Sequence, residues 1–385
     1  MSRARYIMIG GVLGAGKSTS VSKLAARLTE GGARVGLITN DQGSGLVDTR
    51  SLQARGFQVE EISGGCFCCR FDSLLDAARK LTAETRPDVF VAEPVGSCTD
   101  LVATVSYPLR RIYGDDYDIA PFSVLVDPVR ARRVLGLDEA RNFSDKVLYV
   151  YRKQLEEADI LVINKVDLLE TSQLEELQAT LESEYPGKRI LTVSARDGDG
   201  LDEWFDLLIE GEAGPGHCLD IDYKVYADGE ALLGWLNATL RVSRRDEADG
   251  NALLMDLAGL LHDRLTDASA EVAHLKMTLM PESTDASPGA LFEDIGVINL
   301  VRQDARPELS QELPAPVSSG ELVVNLRAEA EPDVLSKALE VTLEEFGRDT
   351  KWAATLDHIE CFSPGEPQPT HRFSSSEAPG DQTPC

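Results

Sequence analysis

Residues 11–18 read Gly11-Val12-Leu13-Gly14-Ala15-Gly16-Lys17-Ser18, at the end of a short apolar run and at the start of a segment with helical period. No other stretch restricts the fold as strongly. A GxxxxGK[ST] loop works because its glycines let backbone N–H groups turn inward on a phosphate chain at a helix N-terminus, whose dipole favours negative charge. Gly11, Gly14, Ala15, Gly16 and Thr19 are the expected cradle. Lys17 is expected to reach the outer phosphates and Ser18 to ligate Mg²⁺.

The flanking pattern agrees with such a loop. Apolar runs rich in Ile and Val recur at 6–10, 35–39, 59–62, 89–93, 124–127, 160–164 and 190–193, with helix-period segments such as 18–28 and 174–184 between several of them. Runs apolar on both faces that alternate with helices predict a doubly wound α/β domain with a mostly parallel sheet. We place this domain at 1–210 and a Gly- and Pro-containing linker at 211–217. Beyond it, 219–226 alternates polar and apolar residues, which predicts a strand, with Asp228 as the cap of a following helix. Leu253, Leu254, Leu257, Leu260, Leu261 and Leu265 form a helical stripe. Strands are expected near 273–279, 295–301, 322–326 and 356–361, and a helix at 331–346. Residues 218–372 thus read as an α+β domain with an antiparallel sheet, and 373–385 as a disordered tail.

At 385 residues the chain is long enough for two cores. Its formal net charge of −27 opposes binding to nucleic acid or an anionic membrane surface. No apolar run approaches the roughly 20 residues of a membrane helix. The seven cysteines are too few and too unevenly spaced for a disulfide framework, so a cytoplasmic protein with reduced thiols is expected.

The base is expected to be guanine. Asn164-Lys165-Val166-Asp167 comes off an apolar strand at the carboxyl edge, where such sheets bind ligands. The Asp167 carboxylate can accept from guanine N1–H and the exocyclic amine together, whereas adenine has no such donor pair. Ser194-Ala195-Arg196 ends the next strand, where a backbone N–H could meet guanine O6. Between these motifs, 88–93 is an apolar strand that ends in Glu93, a position suited to supporting Mg²⁺ through water, and Gly96 of Glu93-Pro94-Val95-Gly96 is placed to offer its N–H to the γ phosphate. Lys17, Glu93 and Asp41 are the candidate catalytic residues. Asp41 and Asp48 follow the second strand, where a first switch belongs, with Asp48 a candidate metal ligand; for both, a solvated loop acid is the competing reading.

Cys66, Cys68 and Cys69 follow Gly64-Gly65 at the end of another strand, so the thiols are expected on a loop at the same edge. Thiolates select Zn²⁺, Cu(I) or other soft and borderline ions, and a structural zinc site takes four protein ligands. Three suit a carrier that must release its ion. Cys98, two residues past Gly96, is the candidate fourth ligand; the competing reading is a small buried hydrophobe.

These motifs together resemble the CobW-type members of the GTPase group that also contains the urease, hydrogenase and cobalamin-mutase accessory proteins. The likeness runs over about 5–210 and rests on GGVLGAGKST, GGCFCC, EPVG and NKVD. It implies a GTP-hydrolysing metallochaperone in which Cys66, Cys68 and Cys69 bind the transferred ion, commonly Zn²⁺ and in some members Co²⁺. It further implies a client metalloprotein or corrinoid protein and a nucleotide-dependent homodimer. Asn40-Asp41-Gln42-Gly43 departs from the more frequent Asn-Glu-Phe-Gly, Cys98 is not a general feature of the family, and the second domain differs from the usual CobW-type C-terminal domain. The alternatives are, within the GTPase class, a gate for corrinoid loading of a client enzyme and, in a different class, a nucleotide-bound metal sensor or storage module with negligible hydrolysis.

Overall fold

The computed structural model describes residues 3–40, 49, 52–53, 55–140, 143–213, 218–282 and 295–373. Asp41 and Asp48 lie outside the described residues, as do 214–217 of the expected linker and 374–385 of the expected tail. The chain divides into two compact units: one runs up to Tyr226 and takes in the stretch beginning at Glu366, the other is Ala227–Gly365. The division thus falls at 226/227 rather than at 211–217. Tyr226 is buried, and its hydroxyl accepts from Thr99 N–H at 3.4 Å, which fastens this end of the chain to the first unit.

In the first unit, strands β1 (Ala4–Gly11), β2 (Val35–Asn40), β3 (Gln58–Ile62), β4 (Val89–Glu93), β5 (Tyr117–Ile119), β6 (Ser123–Val126), β7 (Ile160–Ile163) and β8 (Arg189–Thr192) form one sheet. Its order is β3-β2-β4-β1-β6-β7-β8, with β5 beside the first half of β1, and every pairing is parallel. β4 and β7 are buried along their whole length, as expected of strands covered by helices on both faces. The chain winds one way from β1 to β2 and the other way through β6, β7 and β8. The crevice at the carboxyl end of β1 is therefore the topological switch point, where such sheets bind ligands. Helix α1 (Lys17–Glu30) leaves this point and buries Val21, Leu24, Ala25 and Leu28 in the same core cluster as Ile7, Leu37, Val91 and Trp204. Helix α2 (Phe71–Glu84) follows the cysteine run. A π-helical turn (Val102–Ser106) continues into α3 (Tyr107–Tyr113), while α4 (Pro128–Val134) and α5 (Asp145–Glu157) lie between β6 and β7 in sequence.

The strand expected at 219–226 does not form; Tyr223–Ala231 is helical (α8 below) and Asp228 lies inside it rather than capping a later helix. Asp222 starts this helix instead, its Oδ1 accepting from Lys224 and Val225 N–H at 2.9 and 3.2 Å. The true alternation lies further on, in β9 (Leu233–Ala248), where Leu236, Ala238, Leu240 and Val242 face the core. With β10 (Glu271–Pro281), β11 (Gly296–Leu300), β12 (Glu308–Gln311), β13 (Val317–Glu329) and β14 (Ala353–Phe362) it forms an antiparallel sheet in the order β12-β11-β10-β13-β9-β14. The remaining helices are α6 (Thr171–Glu184), between β7 and β8 in sequence, α7 (Leu201–Glu210) after β8, α8 (Tyr223–Ala231) before β9, and, in the second unit, α9 (Gly250–Asp267) after β9 and α10 (Pro332–Asp349) after β13. The leucine stripe of α9 and Leu335, Leu339 and Phe346 of α10 share one core cluster with the sheet.

Leu24 is fully buried in the core cluster of the first unit. Leu24→Ala is expected to lower the stability of the first unit by about 2–5 kcal/mol, read from the shift of its chemical denaturation midpoint.

Candidate functional site

The loop between β1 and α1 has the backbone its glycines allow. Gly11, Gly14 and Gly16 sit at φ of 132°, 79° and 96°, a region that L side chains rarely adopt. A Cβ on Gly16 would lie 2.3 Å from Asn164 Nδ2. Lys17 is buried, its ammonium donating to Gly11 O at 2.9 Å. Ser18, followed by Thr19 in the first turn of α1, donates from Oγ to Glu93 Oε1 at 3.0 Å, so a hydroxyl and a carboxylate stand side by side at the ends of neighbouring elements. Two hard oxygens in this arrangement fit Mg²⁺.

The Asn164-Lys165-Val166-Asp167 motif divides its labour. Asn164 Nδ2 donates to Ala15 O at 2.8 Å, and its Oδ1 accepts from Ala195 N–H at 2.9 Å. Lys165, at φ 59°, donates to Gly14 O and to Asp127 Oδ2, both within 2.9 Å. These two residues stitch the glycine loop to the neighbouring strand ends. The Ala195 amide is used in that stitching. Asp167 is the member left at the rim, with Ser194 Oγ 2.9 Å from its Oδ1 and Arg196 Nη1 3.9 Å from its Oδ2.

Asp127 escaped the sequence reading as a site residue. It caps α4 by accepting from Arg130 N–H at 3.0 Å and is fully buried. Burial disfavours its charge, but the Lys165 ammonium and the Arg130 amide outweigh this and hold the carboxyl below the usual range. The signal was an Asp-Pro pair directly after an apolar strand, a helix-start signature.

The thiols are gathered by a tight turn. Cys69 N–H and Arg70 N–H both donate to Cys66 O, at 3.1 and 2.9 Å, and Gly64 and Gly65 take positive φ to lead into it. Asn40 Nδ2 donates to Ile62 O and Gly65 O at 2.9 and 2.7 Å, tying the turn to the end of β2. Cys66 and Cys68 are buried and Cys69 is half-buried. Their sulfurs lie 2.8, 3.4 and 3.6 Å apart, and among the described residues they are the one group of this kind that gathers ligand atoms within 4.8 Å. The Cys98 thiol interacts with Cys66 and Cys68 but lies outside the group of three, so the structure does not gather all four predicted sulfurs together. Hydrogen bonds from the neighbouring thiols hold Cys66 well below the usual thiol range. The same sharing pushes Cys68 up and Cys69 to about 11.

The two sites meet in the loop after β4. A Cβ on Gly96 would lie 2.9 Å from Leu13 N, so this glycine packs directly on the phosphate loop. Gln154 of α5, buried, donates from Nε2 to Gly96 O at 3.0 Å and to Cys98 O at 2.8 Å. No local pattern marked Gln154, since its role arises only when α5 packs against this loop.

A parallel sheet whose first strand feeds a glycine loop and helix, with an NKxD turn bound to that loop, defines a phosphate-loop nucleotide-binding domain. Residues 5–192 match the family model described as "CobW/HypB/UreG, nucleotide-binding domain". A zinc chaperone CobW of Sinorhizobium sp is 27% identical over 222 residues, 50% of this chain and 59% of that protein. A Caulobacter vibrioides relative is 30% identical over 177 residues, 43% of this chain and 46% of its own length. The chain therefore spans about half the length of the curated relatives it matches. Among solved structures, the hydrogenase maturation factor HypB from Archaeoglobus fulgidus has a TM-score of 0.38 at 21% identity, covering 54% of this chain and 89% of that one.

Asn164→Ala strands a buried carbonyl and a buried amide and is expected to cost about 1–3 kcal/mol for each group left unpaired, measured by urea unfolding. The depressed Asp127 carboxyl contributes stability above the unfolded carboxylate value of about 4, and loses it as pH falls through the lower folded value. Asp127→Asn is therefore expected to remove stability at neutral pH and to flatten the acid limb of the stability profile.

Proposed function

We propose that the chain binds and hydrolyses GTP and uses the nucleotide state to control the binding and hand-over of a thiophilic divalent ion, Zn²⁺ before Co²⁺, to a client protein. In this reading the Lys17 ammonium exchanges its loop carbonyl for phosphate oxygens. The turned-in loop amides hold the phosphate chain, and Asp167 accepts from the guanine edge. Ser18 and Glu93 would hold Mg²⁺, which when bound offsets charge on the phosphates. Gly96 lies on the phosphate loop, and its amide would be offered to the γ phosphate. Glu93 is the carboxylate assigned to the attacking water among the described residues.

Zn²⁺ is the cargo, held by Cys66, Cys68 and Cys69, with Cys98, which interacts with Cys66 and Cys68 but lies outside that group of three, as the candidate fourth ligand. The name of the Sinorhizobium relative supports this choice of ion. One observation carries the coupling: the same Gln154 amide holds the carbonyls of Gly96 and Cys98, so a displacement that follows loss of the γ phosphate moves a sulfur ligand.

Phosphate release from GTP tests the enzymatic half: Lys17→Ala is expected to lose about 10²-fold or more, and Zn²⁺ to change the wild-type rate. Cys66→Ser combined with Cys69→Ser is expected to abolish tight Zn²⁺ binding, measured by chelator competition. GTP turnover unaffected by Lys17→Ala, or Zn²⁺ affinity indifferent to loss of both thiols, overturns the reading.

A further inference from the structure

The stretch 366–373 belongs to the first unit and lies across its thiol site. Gln368 N–H donates to Cys69 Sγ at 3.1 Å, and Thr370 N–H donates to Cys68 O at 2.9 Å. Thr370 Oγ1 reaches Cys69 O at 3.4 Å, and the His371 ring stands edge-on to Phe71, centroids 5.1 Å apart, at the start of α2. Arg372 then forms an ion pair with Asp100, Nε to Oδ2 2.7 Å, and donates from Nη2 to Leu219 O at 2.9 Å. Phe373 N–H closes on Ala103 O at 3.0 Å, with the Arg111 guanidinium over its ring.

The segment is built for this place. Pro367 and Pro369 have no N–H, so the Gln368 amide is the single backbone donor in Pro-Gln-Pro, and it is spent on a sulfur. Flanking prolines hold an extended backbone, so little chain entropy is lost on ordering it. Asp100, the other anchor, is 1% exposed, takes φ 63° and also accepts from Tyr223 Oη at 2.6 Å. It ends the same loop that carries Gly96 and Cys98 and opens into the π-helical turn Val102–Ser106, a rare geometry concentrated at functional sites.

The geometry points to 366–373 as a strap that closes the outer side of the thiol site: the Gln368 amide positions the Cys69 sulfur, and the Arg372–Asp100 pair ties the strap to the nucleotide-facing loop. An N–H···S bond fixes the direction of the Cys69 sulfur, and the strap shields that sulfur from competing acceptors, so a closed strap would retain the ion. A shift of the loop that moves Asp100 loosens the strap and bares Cys69 to an acceptor thiolate or imidazole on the client. This inference rests on the metal-carrier reading above for its purpose, but not for its geometry.

The test uses the full chain in two forms. In reduced, metal-free protein, alkylation of Cys69 by iodoacetamide is followed by peptide mass spectrometry. Arg372→Ala and Gln368→Pro are each expected to speed it at least about fivefold through local opening, and Arg372→Lys to restore much of the protection. In Zn²⁺-loaded protein, transfer to a chromogenic chelator is expected to be about 10-fold faster in Gln368→Pro, which retains the ion pair and the extended backbone. If Arg372→Ala fails to fold, Gln368→Pro decides both readouts. Alkylation within twofold of wild type in every folded variant overturns the strap. Faster alkylation in a protein that binds no Zn²⁺ keeps the strap and overturns the carrier reading instead.

Discussion

A buried side-chain amide with two carbonyl partners cannot give up one of them without leaving a polar group unsatisfied, at a cost of about 1–3 kcal/mol. Gln154 is in that position, with Gly96 O and Cys98 O as its acceptors. Because the loop from Glu93 to Asp100 is buried throughout, it has no solvent to make up a lost bond. Its available motion is a concerted one. Gly96 rests on the phosphate loop at one end and Cys98 beside the sulfur cluster at the other, so in the proposed mechanism a shift driven at the first is felt at the second.

The nucleotide side is correspondingly rigid. Asn164, Lys165 and Asp127 fasten the glycine loop to the ends of β6, β7 and β8, and the loop's positive-φ glycines leave little room for a side chain. Such preorganisation suits a site that must recognise charge at defined positions. In the proposed mechanism, rigidity there and a concerted shift of the loop after β4 divide recognition from signalling. The thiol turn, held by Asn40 to the end of β2, has a fixed wall on one side and the Cys98 loop on the other.

Much of this was legible from local pattern. The glycine loop, the NKxD turn and the cysteine run are contiguous, and each run at the predicted positions is a strand of the parallel sheet: the interior strands β4 and β7, buried along their whole length, have a near-continuous apolar signature, whereas the edge strands β3 and β8 are only partly buried. The segment at 219–226 was misread because a period of two over eight residues also fits a short turn leading into a helix. Tyr223 and Tyr226 turn inward there through hydrogen bonds to Asp100 and Thr99, and not through a sheet. Gln154, Asp100 and the Pro-Gln-Pro segment carry no sequence signature at all: each acquires its role from a partner tens to hundreds of residues away.

The coupling between nucleotide and metal is most directly measured as the Zn²⁺ dissociation constant of protein loaded with GDP and of protein loaded with a non-hydrolysable GTP analogue, in wild type and in Gln154→Ala. Transmission through the loop predicts a difference between the two wild-type states of about 5–150-fold, the usual range of a coupling free energy, and its collapse toward unity in Gln154→Ala. Equal Zn²⁺ affinity in the two wild-type states, or an undiminished difference after loss of the Gln154 amide, would contradict it.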